Sequence, residues 1–397
     1  MNAMNRLPRF RQRRPCVSFF AGMLACALVG SVQASTRPSQ VQLLLPPAPK
    51  HAPQTPEQDA VGERSGRPLP APEILQPTLD ATLPTFKPHY GHTFNGSLSM
   101  ASSDVLPGLV GAWIASFKTF YPHVHVTFGP PYEGTHAEAE MDHGKIDIAF
   151  VSRELKPTDI ATFVTDHGYP PLSVPVSGGS YRQFGFLDAV SFFVNQANPV
   201  EHLSLAQLDQ ILSSSHLRGG STAKTWGDVG VTGDWATHPI HVYAIKPWNG
   251  FEEFVRQRVL DVDGKRGHWR KDLNFDHLVF PVAERVAADP DGIGYAGLAF
   301  VDVPVKLIPI GTEGQSVAPT YSNVATASYP LSRLIYANVN RKPANAMNPA
   351  LQEFLRFVLS RQGQQLVRNE AIFLPLREFQ CEAARSLLVP TAAGVHP

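Results

Sequence analysis

The sequence predicts an α/β fold, and three observations carry that reading. Seven strand-like runs recur along the chain: Ser97–Ser102, His123–Phe128, Asp147–Ser152, Ala189–Asn195, Ile240–Ile245, Val305–Ile310 and Leu334–Asn340. Most are separated by stretches whose apolar residues return every three or four positions, the period of a helix. The folded texture, from Thr93 to Leu376, runs to roughly 285 residues, a size at which one core tends to split into two.

The ends differ from this middle. Arg6, Arg9, Arg11, Arg13 and Arg14 precede a short apolar run, Cys16 to Gly30, and Val32-Gln33-Ala34 then offers the small-x-small pattern of a cleavage site. The run is shorter than the ~20 residues that span a bilayer. Residues 1–34 therefore read as a signal peptide cleaved near Ala34, and the mature protein as exported. A membrane anchor is the competing reading, Met23-Leu24-Ala25-Cys26 leaves lipidation at Cys26 open, and Arg13-Arg14 gives only a weak hint of twin-arginine export.

Cleavage changes the charge. The whole chain balances 34 basic against 34 acidic residues, but five basic and no acidic residues precede position 35, leaving 29 against 34 and a net charge near −5. A nucleic-acid role loses the basic stripe it needs. Cys381 is then the single remaining thiol, which excludes an intrachain disulfide framework. Residues 35–92 hold twelve of the 36 prolines without a sustained period. They read as a disordered or semi-rigid linker, with segments such as Leu45-Pro46-Pro47-Ala48-Pro49 favouring extended geometry.

Three helices are legible within the folded part. Leu106, Leu109, Val110, Trp113, Ile114, Phe117 and Phe120 share one face, with Pro107 in the first turn, where its missing N–H costs nothing. Ser204-Leu205-Ala206-Gln207 reads as a capping box leading into Leu208, Ile211 and Leu212. Leu351, Phe354, Leu355, Val358 and Leu359 mark the third. No internal repeat is visible.

The chemistry gathers in loops at strand ends. In an open α/β sheet, ligands sit beyond the carboxyl ends of the strands, where helix N-termini offer unpaired N–H groups. Ser102-Ser103-Asp104 enters the Leu106 helix and could cap it, face a ligand, or do both. Tyr132-Glu133-Gly134-Thr135 follows the second strand; Gly134 permits close backbone approach and Thr135 adds a hydroxyl. Ser152-Arg153 ends the apolar run Ile146–Val151, where a guanidinium can fork onto an oxyanion; an ion pair with Glu154 or Asp159 is the alternative. Such loops suit capture of a small oxyanion better than turnover, and no enzyme activity is expected.

Other patterns carry less. Gly292-Ile293-Gly294-Tyr295-Ala296-Gly297 matches G-x-G-x-x-G, yet it follows a helical stretch and the turn Asp289-Pro290-Asp291, the wrong context for a dinucleotide site. Fifteen histidines, including His123, His125, His136 and His143, show no recognised ligand spacing, so no metal and no cofactor is expected. No G-x-S-x-G elbow occurs.

Taken in order, these pieces resemble the phosphate-type periplasmic solute-binding proteins of ABC importers. The resemblance runs through Ser102-Ser103-Asp104-Val105-Leu106 with Trp113 and Phe117–Pro122. It continues through Gly144–Ala149 into Ser152-Arg153, Asp188-Ala189-Val190, Val194-Asn195, Asn198-Pro199, Leu203-Ser204 with Gln207-Leu208, and the Trp226 region. Gly292–Tyr295, Tyr329-Pro330-Leu331-Ser332-Arg333, Gly363-Gln364 and Phe373–Leu376 complete it. Residues 95 to 377 are covered; each motif is loose, but their order is specific.

The resemblance implies a type II periplasmic-binding-protein fold, two α/β lobes joined by crossing hinge strands. The first lobe would comprise 93–188 and 326–380, the second 189–325, and 381–397 would be a C-terminal tail. It implies a monomer that hands phosphate or a related oxyanion to an ABC permease. First-lobe donors would be Ser102, Ser103, Gly134, Thr135, Ser152 and Arg153, with Asp104 accepting the proton of monohydrogen phosphate. One departure stands out: the family's second lobe presents an arginine followed by Ser-Gly-Thr, whereas this chain reads Ile245-Lys246-Pro247-Trp248-Asn249-Gly250-Phe251. Lys246, Asn249 and the Gly250 amide would close the site from that side. The change leaves open a different oxyanion, an organic acid, or a transport-inactive sensory or structural module.

Overall fold

Along Gly96–Ser102 (β1), Leu98 and Met100 are buried in alternation and Ala101 and Ser102 then follow them inside, as in a strand covered on both faces. The computed structural model describes residues 78–129, 136–183, 187–247, 250–312 and 314–390. The stretch read as a signal peptide, and the linker up to residue 77, lie outside the described residues.

After β1 come Pro107–Phe120 (α1), Val124–Phe128 (β2), His136–Asp142 (α2), Ile148–Val151 (β3), Pro157–His167 (α3) and Leu172–Gly178 (β4). The chain then builds Val190–Asn195 (β5), Leu203–Ser204 (β6), Leu205–Leu212 (α4), His241–Ile245 (β7), Gly250–Val255 (α5), Asn274–Asp276 (β8), Phe280–Ala288 (α6), Gly292–Gly297 (β9), Val305–Ile308 (β10), Ile310–Thr312 (β11), Gln315–Val317 (β12) and Tyr321–Ala325 (α7). Leu334–Val339 (β13), Pro349–Val358 (α8), Arg361–Glu370 (α9) and Glu378–Ser386 (α10) complete the order.

Two five-stranded mixed sheets result. The first has the order β2-β1-β3-β13-β4 and the second β10-β5-β9-β7-β8, with β12-β11-β6 as a small third sheet. The first sheet therefore takes its strands from both sides of the second in sequence. The passages between them touch each other: Gly179 N donates to Arg333 O at 2.8 Å and Val190 N to Leu331 O at 3.2 Å. A side chain at Gly179 would meet Leu187 O at 2.4 Å, so the crossing requires glycine. This is the two-lobe plan with crossing hinge strands that the sequence led us to expect.

Each sheet has its own core. Trp113, Phe117, Phe150, Phe354 and Phe357 anchor the first, and Phe192, Phe193, Trp226, Phe254 and Tyr295 the second. The other face of the first sheet is covered by α2 and α3 through Ala137, Met141 and Phe163. Both halves of the expected capping box form: Gln207 N donates to Ser204 Oγ at 3.1 Å and Ser204 N to Gln207 Oε1 at 2.7 Å.

Two boundaries drawn from sequence need correction. The linker does not run to residue 92. Leu83 and Phe86 are buried in the first core, Phe86 N donates to Gln362 Oε1 at 2.8 Å, and Arg361 N donates to Pro84 O at 2.9 Å. Proline content alone had masked two core side chains. Likewise, 381–397 is not wholly a tail: α10 carries Cys381 and Ala384 into the same core, and Leu388 follows. The G-x-G-x-x-G stretch is β9, buried along its length, and a Cβ at Gly297 would stand 2.2 Å from Asp188 Oδ2.

Candidate anion-binding site

Because β1 and β3 run parallel, with Ser102 opposite Phe150, their carboxyl ends open at one edge of the first sheet. Ser102 and Ser103 are buried there, and neither hydroxyl has a hydrogen-bond partner among the described residues. They do not cap α1, whose N-cap is Leu106 with no side-chain cap bond. Buried hydroxyls normally find partners, so these two are donors and acceptors in search of one. Asp104, next along, is exposed, and Ser152 is half-buried.

Arg153 follows β3 and is 8% exposed. Its Nη1 donates to the Glu154 carbonyl at 2.6 Å. Its Nη2 stands 3.5 Å from Asp159 and 3.8 Å from Glu138, yet hydrogen-bonds to no described residue. The ion pair with Asp159 weighed from the sequence is therefore present, buried on the arginine side, and it leaves Nη2 without a hydrogen bond. Burial pushes the Glu138 carboxyl up to about 8, against the pull of the Arg153 charge. Glu138 and Asp159 also line a cavity of about 410 Å³ with Glu140 and Asp142 and no basic residue, which makes that cavity hostile to anions.

Two further guanidiniums join this edge. Arg333, on the returning hinge passage, is 7% exposed, and its Nη2 donates to the Gly250 carbonyl at 3.3 Å. Its guanidinium carbon lies 4.7 Å from the centre of the Phe254 ring and 5.3 Å from that of Phe251. Burial pulls its pKa down to about 10; the charges of Asp188 and Glu154 oppose this, and those of Arg153 and Arg258 add to it. Asp188, fully buried, is pushed up to about 7 by desolvation while the Ala299 N–H and Arg333 hold it down. Arg258 comes from the second lobe, beyond α5, and pairs with Glu154 Oε1, which also accepts from Tyr336 OH at 2.7 Å. Arg333 Nε, Arg258 Nε, Glu154 Oε2, Asp188 Oδ1 and the Ser332 hydroxyl have no hydrogen-bond partner among the described residues.

Ser102, Ser103, Ser152 and Arg153, expected at neighbouring strand ends, are found there, whereas Gly250 meets Arg333 through its carbonyl and not through the amide expected to donate. Lys246 is exposed, with Nζ 3.4 Å from His277 Nε2. Gly134, Thr135, Trp248 and Asn249 lie outside the described residues. Arg258, Arg333 and Ser332 were missed as site candidates; the one signal was Tyr329–Arg333, noted in the family series but given no role. Among the described residues, one His/Asp group brings ligand atoms within 4.8 Å of each other: His241, Asp289 and Asp291. Its carboxylates already accept from His238, His241 and Tyr243.

A family model described as a PBP superfamily domain matches residues 88–362. The chain belongs to the PBP superfamily. This PBP-superfamily chain is 31% identical over 301 residues to the phosphate-binding protein PstS of Pseudomonas aeruginosa, covering 75% of this chain and 88% of the relative. It is 26% identical over 280 residues to Protein SphX of Synechococcus elongatus, with 69% and 76% covered. The crystal structure of PstS from Borrelia burgdorferi superposes with a TM-score of 0.50 at 16% identity, covering 71% of this chain and 99% of that one. At that identity the likeness speaks for the fold.

Proposed function

We propose that this chain is an exported solute-binding protein that captures phosphate or a related oxyanion between its lobes and delivers it to an ABC permease. One observation supports this above the rest: Arg153, Arg258 and Arg333 share one neighbourhood where the hinge and both lobes meet, each with a guanidinium nitrogen that has no hydrogen-bond partner among the described residues. Charge-assisted N–H donors held in place are what an oxyanion requires. The PstS relative adds phosphate as the natural ligand.

In this reading Ser102, Ser103, Ser152 and Arg153 donate from the first lobe and Asp104 takes a phosphate proton. Gly134, Thr135, Asn249 and the Gly250 amide complete the set, while Lys246, exposed beside His277, stands apart from it. The protein works in the periplasm as a monomer, after cleavage near Ala34, and binds without turnover. A second reading, an organic acid, draws support from the half-buried Phe251 ring against Arg333, an apolar surface for a ligand body.

Thermal melting tests the proposal. A ligand that binds only the folded state stabilises it by about 2.7 kcal/mol at a hundredfold excess over its Kd, or roughly 5 °C for a chain this size. Millimolar phosphate should give such a shift and sulfate a smaller one. A shift with organic acids and none with either oxyanion would overturn it.

A further inference from the structure

The second lobe's cation was expected at Lys246, which instead lies exposed beside His277. The second-lobe cation that does reach across is Arg258, whose Nη2 meets Glu154, the residue directly after Arg153. We propose that Arg258 supplies the second lobe's charge to the anion site and that Glu154 is the internal carboxylate with which an incoming oxyanion competes for it. The inference rests on the oxyanion reading above.

Three features support it. First, the pair is single-pointed. Glu154 Oε1 takes Arg258 Nη2 and the Tyr336 hydroxyl, while Glu154 Oε2 and Arg258 Nε have no partner among the described residues. A guanidinium can satisfy two oxygens at once through Nε and Nη2, so an oxyanion arriving side-on would hold Arg258 better than Glu154 does.

Second, the neighbourhood is rich in positive charge. Arg153 and Arg258 both lower the pKa of buried Arg333 through like-charge repulsion. Of the carboxyls nearby, Asp188 and Glu138 are pushed up by burial and so resist carrying negative charge. Glu154 and Asp159, the latter 3.5 Å from Arg153, then face three guanidiniums, which stay under-compensated, and a bound anion would relieve their repulsion. Third, Glu154 and Arg258 lie 104 residues apart on different lobes, with side chains 27% and 32% exposed. Such a pair is weakly held and can exchange partners.

Titration calorimetry of the full exported chain with inorganic phosphate tests this on wild type, Glu154→Gln, Arg258→Ala, Arg258→Lys and the Glu154→Gln/Arg258→Ala double variant. Glu154→Gln removes the competing charge and should tighten phosphate binding by about threefold or more. Arg258→Ala should weaken it by about tenfold or more, with Arg258→Lys recovering part. In the double variant the gain from Glu154→Gln should vanish, because Glu154 acts through Arg258. Melting curves run alongside establish that each variant is folded, and the lysine variant carries the test if the alanine variant is not.

Wild-type binding with unchanged affinity in the single variants, or weaker binding in Glu154→Gln, would overturn the assignment. No phosphate binding by any form would sink the oxyanion reading itself, and the assignment with it.

Discussion

Phe86 offers the sharpest test of where the folded part begins. Its ring is 5% exposed and meets Phe120 at 5.2 Å, Phe357 at 5.4 Å and Tyr121 at 6.4 Å, all edge-on. The Arg356 guanidinium lies 5.8 Å from its centre. The backbone on either side is fixed: Phe86 N to Gln362, His89 N to Glu353 Oε2 at 3.2 Å, and Arg361 N to the Pro84 carbonyl. Removing the ring therefore leaves a cavity lined by aromatic side chains that cannot collapse fully. Phe→Ala changes at such places cost about 3–5 kcal/mol, which for a chain of this size lowers Tm by roughly 6–12 °C. Differential scanning fluorimetry of Phe86→Ala measures it, with Phe379→Ala, 60% exposed, as a control expected to move little. If Phe86→Ala melts within about 2 °C of wild type, residues 78–92 do not belong to the first core.

Four further outcomes are expected. Arg153→Ala should weaken phosphate binding by some thirtyfold to several thousandfold, about 2–5 kcal/mol, with Arg153→Lys recovering part; calorimetry showing unchanged affinity would remove Arg153 from the site. The Glu138 carboxyl is raised to about 8 in the folded protein, so the folded chain keeps a proton that the unfolded chain releases in the usual carboxylate range. Its contribution to stability is complete at low pH and is lost as pH rises through about 8; Glu138→Gln should melt relatively higher at pH 8 than at pH 5, and equal differences at both would refute the shift. Ser204→Ala loses half of the α4 capping box and should cost about 1 kcal/mol in denaturant unfolding, whereas no measurable loss would mean that the cap is not made in solution. The Cys381 thiol, fully buried and pushed up to about 12 by desolvation, should react with a thiol reagent only on unfolding; fast labelling of the native protein would return 381 onward to the tail.

Features set by local spacing were legible in the sequence. The apolar face of α1, the Ser204–Gln207 box and α8 each repeat within a few residues, and all are present. Features made by distant packing were not. In α9, Arg-Gln-Gly-Gln-Gln-Leu-Val-Arg-Asn-Glu has few apolar residues to mark a helix, and only Gly363-Gln364 stood out through the family series; both are buried against the first core, where a Cβ at Gly363 would stand 2.2 Å from Val358 O. Leu83 and Phe86 sat among prolines and looked like linker until α8 and α9 came to meet them.

The candidate site divides in the same way. Arg153 could be found because it ends a strand, a local fact. Arg333 and Arg258 join it only because the chain leaves the first sheet, builds the second and returns, so that no spacing in the sequence records their meeting. Lys246 was chosen by position in a motif, but its N–H donates to Asp276 O at 2.8 Å and its amine lies 3.4 Å from His277 Nε2, neighbours that the motif does not record.

Titration calorimetry of the wild-type exported chain with inorganic phosphate, with sulfate run in parallel, tests the central claim most directly. Saturable binding of one phosphate per chain, tighter than any binding of sulfate, is expected. Absence of saturable heat with phosphate, against a clear isotherm for an organic acid, would contradict it.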